Sequence, residues 1–297
     1  MLVWASMGRR VHLREDEMSF KTILVHVADD ECAKRRVEAA ASLAEAHGAR
    51  LIGLATVGQP TPILVEGSAA AAGVWAEQAA DYENEATAAA DAFLDAMKAR
   101  GVPAEARIAP GFEENAGGAL ALNARYADLS VIGGRDGSPS RSLADALIDG
   151  ALFDSGRATV VVPSVWSGGA VGAKPLVAWD GGPQAARAAR EALPFLLSAS
   201  EVRICVAKTY FGMARHGDEP GADVARWLAG HGLKVTVEVV DPGDVSVAAS
   251  LAETAKKAGC DMIVMGGFGH SRLRESIFGG VTTELLDKPP LPLFLAH

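Results

Sequence analysis

The residues with the clearest chemical meaning lie near the end of the chain, where Gly266-Gly267-Phe268-Gly269 is followed by Phe278-Gly279-Gly280-Val281-Thr282-Thr283. The first group follows Met262-Ile263-Val264-Met265, an apolar run with the composition of a buried strand. The second opens a helical stretch. Glycines let backbone amides approach an anion closely, and a helix start adds unpaired N–H groups and a partial positive charge. Strand end, glycine turn and helix start together make a phosphate cradle at the carboxyl edge of a sheet, where open α/β folds bind ligands. The spacing, Gly266-x2-Gly269-x9-Gly279-Gly280, is not GxxxxGK(S/T), and no GxGxxG follows the first strand of either half. A P-loop and a dinucleotide fingerprint are therefore both excluded. His270, Arg272 and Arg274 stand between the glycines, either as cations for phosphate or as a solvated loop. Glycines after a strand also make plain turns, and Asp180, ahead of Gly181-Gly182, also reads as a turn or N-cap aspartate.

Something must position these residues, and the pattern of elements supplies it. Strand-like runs at Thr22–Val27, Arg50–Ala55, Ala104–Ala109, Leu129–Gly133 and Thr159–Val162 alternate with helical stretches at Glu31–His47, Glu77–Arg100, Asn115–Tyr126 and Arg141–Asp154. Ser164 to Ala173 has no period and reads as a linker. The alternation then restarts, with strands at Leu176–Trp179, Val202–Ala207, Val235–Val240, Met262–Met265 and Leu293–Leu295. Helices are expected between them at Pro183–Leu197, Ala222–His231, Val247–Ala258 and Ser276–Leu286. Such alternation predicts parallel sheets with right-handed crossovers.

The two halves repeat one another. A shift of 133 residues lays Asp128 on Asp261, Val131 on Val264, Gly133-Gly134 on Gly266-Gly267 and Val160–Val162 on Leu293–Leu295. At the start of each half the shift is 152, with Leu24-Val25 falling on Leu176-Val177. The difference of 19 residues is expected inside Gly58–Glu77, read as a long surface loop with room for some helix. The organisation is then a tail over residues 1–17, a first domain over 18–163, a linker over 164–173 and a second domain over 174–297.

Composition narrows the partners. The chain has 297 residues, 49% hydrophobic and 22% charged, with a formal net charge of −9. An acidic surface repels nucleic-acid phosphates and anionic lipid, so neither nucleic acid nor a membrane is expected as partner. No apolar run reaches transmembrane length, and residues 1–17 make a poor signal peptide. Cys32, Cys205 and Cys260 form no CxxC pair and no ligand-like cluster, which suits a reducing, cytoplasmic setting. The histidines show no metal-ligand spacing.

The glycine spacing together with Asp180 resembles the universal stress protein family, whose ATP-binding members carry G-x2-G-x9-G-(S/T) after the fourth strand and an aspartate after the first. The resemblance covers roughly residues 18–297 and implies an α/β fold. Each half would be a doubly wound parallel five-stranded sheet of strand order 3-2-1-4-5, adenine nucleotide alpha hydrolase-like, with two in tandem. It implies that Asp180 contacts the ribose or adenine, that Val206 and Ala207 touch adenine, and that Met265 and Gly266 flank the ribose. Gly269, Gly279, Gly280 and Val281 would hold phosphates through their amides. The ligand implied is ATP, ADP or AMP, with Mg a further component. The family's Ser/Thr position is Gly280 here, so a hydroxyl contact is missing, with Thr282 or Thr283 as replacements. The family's fifth strands pair across a dimer axis. The runs Val160–Val162 and Pro292–Leu295 therefore suggest an internal pseudo-dimer, with a homodimer of chains also open.

The first half lacks the motif. Ala28 stands where Asp180 stands, and Asp136, Ala146 and Leu147 fall on Gly269, Gly279 and Gly280. A carboxylate at 136 repels phosphate, and side chains at 146 and 147 block a close backbone approach. The first domain is thus expected to be a degenerate partner whose loops can be altered without effect on nucleotide affinity. Two functions compete: a nucleotide-binding regulatory protein with at most slow ATP hydrolysis, and a nucleotide-free scaffold. An adenylating enzyme or electron-transfer flavoprotein fits less well, because the repeat runs through nearly the whole chain. No base, nucleophile and metal set is evident for efficient catalysis.

Overall fold

The structure, a computed structural model, describes residues 19–57, 69–208, 219–268 and 280–297. The expected tail, part of the Gly58–Glu77 loop, and Gly269, His270, Arg272, Arg274, Phe278 and Gly279 lie outside the described residues.

The first half runs β1 (Thr22–Val27), α1 (Glu31–His47), β2 (Arg50–Thr56), α2 (Ala69–Arg100), β3 (Ala104–Ala109), α3 (Glu113–Ala124), β4 (Leu129–Gly133), α4 (Arg141–Asp149) and β5 (Ala158–Val162). The second runs β6 (Pro175–Ala178), α5 (Pro183–Glu191), α6 (Leu193–Ser198), β7 (Val202–Ala207), α7 (Ala222–Gly230), β8 (Val235–Val240), α8 (Val247–Lys257), β9 (Met262–Gly266), α9 (Val281–Asp287) and β10 (Leu293–Ala296). All pairings within a half are parallel. The order across the molecule is β3-β2-β1-β4-β5-β10-β9-β6-β7-β8. Each half thus has the expected order 3-2-1-4-5. The two sheets join into one of ten strands through antiparallel pairing of β5 with β10, in register Val161–Leu293, Val160–Phe294 and Thr159–Leu295.

One interaction shows why both shifts hold. Asp128, ahead of β4, accepts the Lys21 and Thr22 amides at 2.8 and 2.9 Å, clipping the start of β1. Asp261, ahead of β9, accepts the Ala173 and Lys174 amides at 2.8 and 2.9 Å, clipping the start of β6. The aspartates are related by the 133-residue shift and the amides by the 152-residue shift. A carboxylate satisfying two first-strand donors fixes the neighbouring strands' relative height, and so levels their carboxyl ends.

Five helix expectations change. The helix expected over Ser276–Leu286 runs over Val281–Asp287, with Gly280 extended ahead of it and residues 276–279 outside the described residues. The α2 helix starts at Ala69, so part of the extra length is helical; buried Ala86, Ala90, Phe93 and Met97 recur at helical spacing, and Gly53 of β2 makes room for the Phe93 ring. The α3 helix spans 113–124 instead of 115–126, with Glu113 and Glu114 favourable at its positive end. The stretch expected to run to Asp154 is helical to Asp149 and continues as a π-turn over Gly150–Asp154, where the Gly150 and Gly117 backbones cross too closely for a Cβ. Pro183–Leu197 is two helices, broken ahead of Pro194, whose ring nitrogen cannot donate to the preceding turn.

The core has a layer on each face of the sheet. Phe195 of α6 crosses between the halves, 5.2 Å from the Phe20 ring and 5.8 Å from the Phe294 ring, with His47 edge-on at 5.5 Å. The first half also buries a polar pair. Arg36 of α1 donates Nε to the His26 carbonyl at 3.2 Å, and its Nη2 lies 3.3 Å from His26 Nδ1. A guanidinium only donates, so Nδ1 is the acceptor and Nε2 carries the proton toward Thr56 Oγ1, 3.1 Å away. Burial, then the Arg36 charge, pushes His26 down to about 3.

Two outcomes are expected. Phe195→Ala should cost about 3–5 kcal/mol, lowering the melting temperature while both halves still unfold in one calorimetric transition; two separated transitions would show that the sheets are not coupled. Because His26 is neutral when folded and basic when unfolded, stability should fall as pH drops below about 6.5, by of order 2 kcal/mol by pH 4.5. His26→Gln should flatten that limb in urea titrations, and an unchanged slope would assign the acid loss to other groups.

Candidate functional site

The carboxyl ends of β7, β6 and β9 lie side by side, because β6 pairs with both neighbours in parallel. From β6 the chain crosses to β7 on one side, and β9 flanks β6 on the other. This is the switch point at which an open sheet leaves a crevice. Asp180 follows β6 and is exposed, while Val206 and Ala207 end β7, the first buried and the second half-buried. Met265 and Gly266 end β9, with Met265 buried. Gly280 caps α9, followed by half-buried Val281 and buried Thr282. The fold therefore brings Asp180, Val206, Ala207, Met265 and Gly266 to one sheet edge. Gly280, Val281 and Thr282 begin the helix that leads into β10 beside it. Gly269, His270 and Gly279 lie outside the described residues.

Several of these residues already have partners. Asp180 Oδ1 accepts the Gly182 amide at 2.8 Å, so the carboxylate shapes the turn into α5. A Cβ at Gly266 would stand 2.6 Å from the Ala185 nitrogen, so this glycine admits the first turn of α5 against the strand end. Beside it, Gln184 Oε1 is a buried acceptor with no donor among the described residues. Thr282 Oγ1 accepts the Phe268 amide at 3.1 Å, tying α9 to the turn after β9. Phe268 is held at φ 51, a left-handed conformation uncommon outside glycine. Sequence reasoning did not find this strap, because the two residues are separated by the glycine motif itself.

The start of α9 has no side-chain cap among the described residues, as is also true of α3, α5, α6 and α7. Asp30 caps α1, Ser140 caps α4 and Ser246 caps α8, each through a side-chain oxygen on a first-turn amide. Gly280 provides no such oxygen, so the amides of Val281 and Thr282 have no side-chain cap among the described residues. A buried orphan acceptor and uncapped amides beside one crevice are compatible with a ligand that offers both a donor and an anion.

In the first half the corresponding edge is filled from within. The Arg36 guanidinium lies over Gly133, where a Cβ would come within 2.7 Å of Nη1. Asp136 Oδ2 accepts from the Ser164 amide at 2.9 Å and from its hydroxyl at 2.5 Å, and Arg35 donates to the Ser164 carbonyl. A Cβ at Gly137 would meet Cys32 and Ser164 at 3.0 Å, so that turn is folded down onto α1. The carboxylate expected to repel phosphate is here a turn anchor. No group of three or more His, Cys, Asp and Glu side chains suited to a metal ion occurs among the described residues, and no helix among them is long and apolar enough to cross a membrane.

A model of the universal stress protein family matches residues 174–297. Among solved structures, a universal stress protein from Archaeoglobus fulgidus DSM 4304 is 16% identical, with a TM-score of 0.66 over 94% of this chain and 97% of that one. A putative universal stress protein from Pseudomonas aeruginosa UCBPP-PA14 is 13% identical, with a TM-score of 0.57 over 94% of each chain. At these identities the likeness is one of fold, and it extends across both halves. No curated protein sequence matches the chain. Residues 174–297 therefore belong to the universal stress protein family, and the whole chain is built as two domains of that family's fold in tandem.

Proposed function

We propose that the C-terminal half binds an adenine nucleotide (ATP, ADP or AMP) at the crevice between the ends of β6, β7 and β9, as a stress-response regulator with at most slow hydrolysis. The observation that carries this reading is that Asp180, Val206, Ala207, Met265 and Gly266 share one sheet edge beside the glycine that starts α9, in the half that matches the family. In this assignment Asp180 bonds the ribose or adenine, and Val206 and Ala207 form the edge on which adenine rests. Met265 and Gly266 flank the ribose. Gly269, His270 and Gly279 are carried over from the sequence pattern, and with the amides of Gly280 and Val281 they hold the phosphates. Thr282 is given a positioning role, since its oxygen already binds the Phe268 amide. ATP would bring Mg with its phosphates. The first half is assigned no nucleotide, because Arg36, Cys32 and Ser164 crowd the corresponding edge. In this reading the chain works as an internal pseudo-dimer in the cytoplasm.

A nucleotide-free scaffold is the second reading. It is favoured by the same hydrogen bonds at Asp180 and Thr282, which give both residues a structural duty without a ligand.

Titration calorimetry of the full chain with ATP and Mg separates the two. The expected stoichiometry is one nucleotide per chain. Asp180→Ala should weaken binding by about ten- to a hundredfold, the range for a lost hydrogen bond to a charged group. Asp180→Asn keeps an acceptor for Gly182 and should fall between the two. No heat, together with no nucleotide released from the denatured purified protein, would favour the scaffold; two equivalent sites would overturn the assignment of the first half.

A further inference from the structure

The turn after β9 is strained, and one of its supports comes from the other half of the chain. Phe268 at φ 51 is held on one side by Thr282 Oγ1. On the other side its ring packs 5.3 Å from that of Phe153, which belongs to the π-turn of the first half. Phe153 also meets the His297 ring edge-on at 4.8 Å, and His297 Nδ1 lies 2.9 Å from the Gly267 carbonyl. The aromatic side chain therefore braces both Gly267 and Phe268. A non-glycine residue in this conformation is strained and persists only where its surroundings over-determine it.

The far end of α9 is held by the same neighbour. Asp287 accepts from Arg135 Nη1 at 3.3 Å and from Arg141 Nη2 at 3.1 Å. Arg135 is mostly buried and is itself fixed by Asp145 at 2.5 Å. Pro289 packs onto Gly134, where a Cβ would approach it to 2.7 Å. The 133-residue shift relates these two contacts: it lays Arg135 on Phe268, and Asp154, next to Phe153, on Asp287. In each half, the second residue after the fourth strand meets the end of the other half's last helix. In one direction the contact is aromatic, and in the other it is an ion pair.

The geometry points to Phe153, Arg135 and Arg141 as positioning residues for the nucleotide crevice of the opposite half. Phe153 holds the turn that leads into the glycine motif, and the two arginines hold the helix whose first amides face the phosphates. This rests on the nucleotide reading above. It also reverses the expectation that the first domain's loops can be altered freely, since that expectation treated the two domains as separate bodies.

Calorimetry with ATP and Mg on the full chain, at a temperature well below unfolding, tests it. Phe153→Ala should weaken binding about tenfold, and Phe153→Tyr should restore it, since position 153 is half-exposed and admits a hydroxyl. A purely structural role would lower the melting temperature in both the presence and absence of ATP without this pattern of affinity. Should Phe153→Ala fail to fold, the double change Arg135→Gln with Arg141→Gln tests the other contact, with an expected loss of about three- to tenfold. Variants that bind ATP as the wild type does would overturn the inference and leave the nucleotide reading standing. A wild type that binds no ATP would overturn both.

Discussion

The antiparallel pairing of β5 with β10 is the contact on which the rest of the molecule depends. A five-stranded parallel sheet of order 3-2-1-4-5 ends on its fifth strand, and an unpaired edge is a row of unsatisfied donors and acceptors. Here each fifth strand satisfies the other, Val161 opposite Leu293 and Thr159 opposite Leu295. The pairing is antiparallel, so the halves are related by a local two-fold axis. Whatever lies beside one fifth strand is set against its counterpart in the other half. The aromatic cluster of Phe20, His47, Phe195 and Phe294, and the crossed contacts of Phe153 with Phe268 and of Arg135 with Asp287, follow from this one join.

Within that symmetric frame the two crevices have diverged through a small number of side chains. The 152-residue shift sets His26 against Ala178 and Arg36 against Ala188. In the first half the long pair occupies the space between α1 and the carboxyl ends of β1 and β4. Burial opposes the Arg36 charge, which the carboxylate of Asp30 partly offsets, and it keeps His26 neutral. In the second half, alanines leave room for α5 to settle directly onto Gly266. The same backbone thus supports a self-filled edge in one copy and an edge lined by small residues in the other. The separation arises from volume and desolvation more than from any change in topology.

The glycine turn after β9 sits where these two features meet. The turn is braced by Phe153, a residue of the filled half. A tandem arrangement therefore gives the copy without the motif a mechanical part in the copy that has it. Small shifts at such a junction are transmitted because packed interfaces deform in discrete steps.

Much of this was legible in the order of residues. Apolar runs alternating with Ala-rich stretches give parallel strands with helical crossovers, since buried strands and amphipathic helices have different periods. The duplicated Asp128 and Asp261, Gly133 and Gly266, with the end strands, gave the tandem order and the candidate site on the second half. Those are local properties, set by composition and spacing along the chain. Three things were decided only by the tertiary structure. Thr282 was a candidate for phosphate, but its oxygen meets the Phe268 amide across the glycine motif. Asp136, expected to repel an anion, also anchors Ser164. Phe153 and Arg135 carried no signal at all, because their partners are more than a hundred residues away and an antiparallel strand pair brings them together. Hydrophobic period and turn chemistry are written over a few neighbouring residues, whereas a side chain's partner depends on where the whole sheet places it.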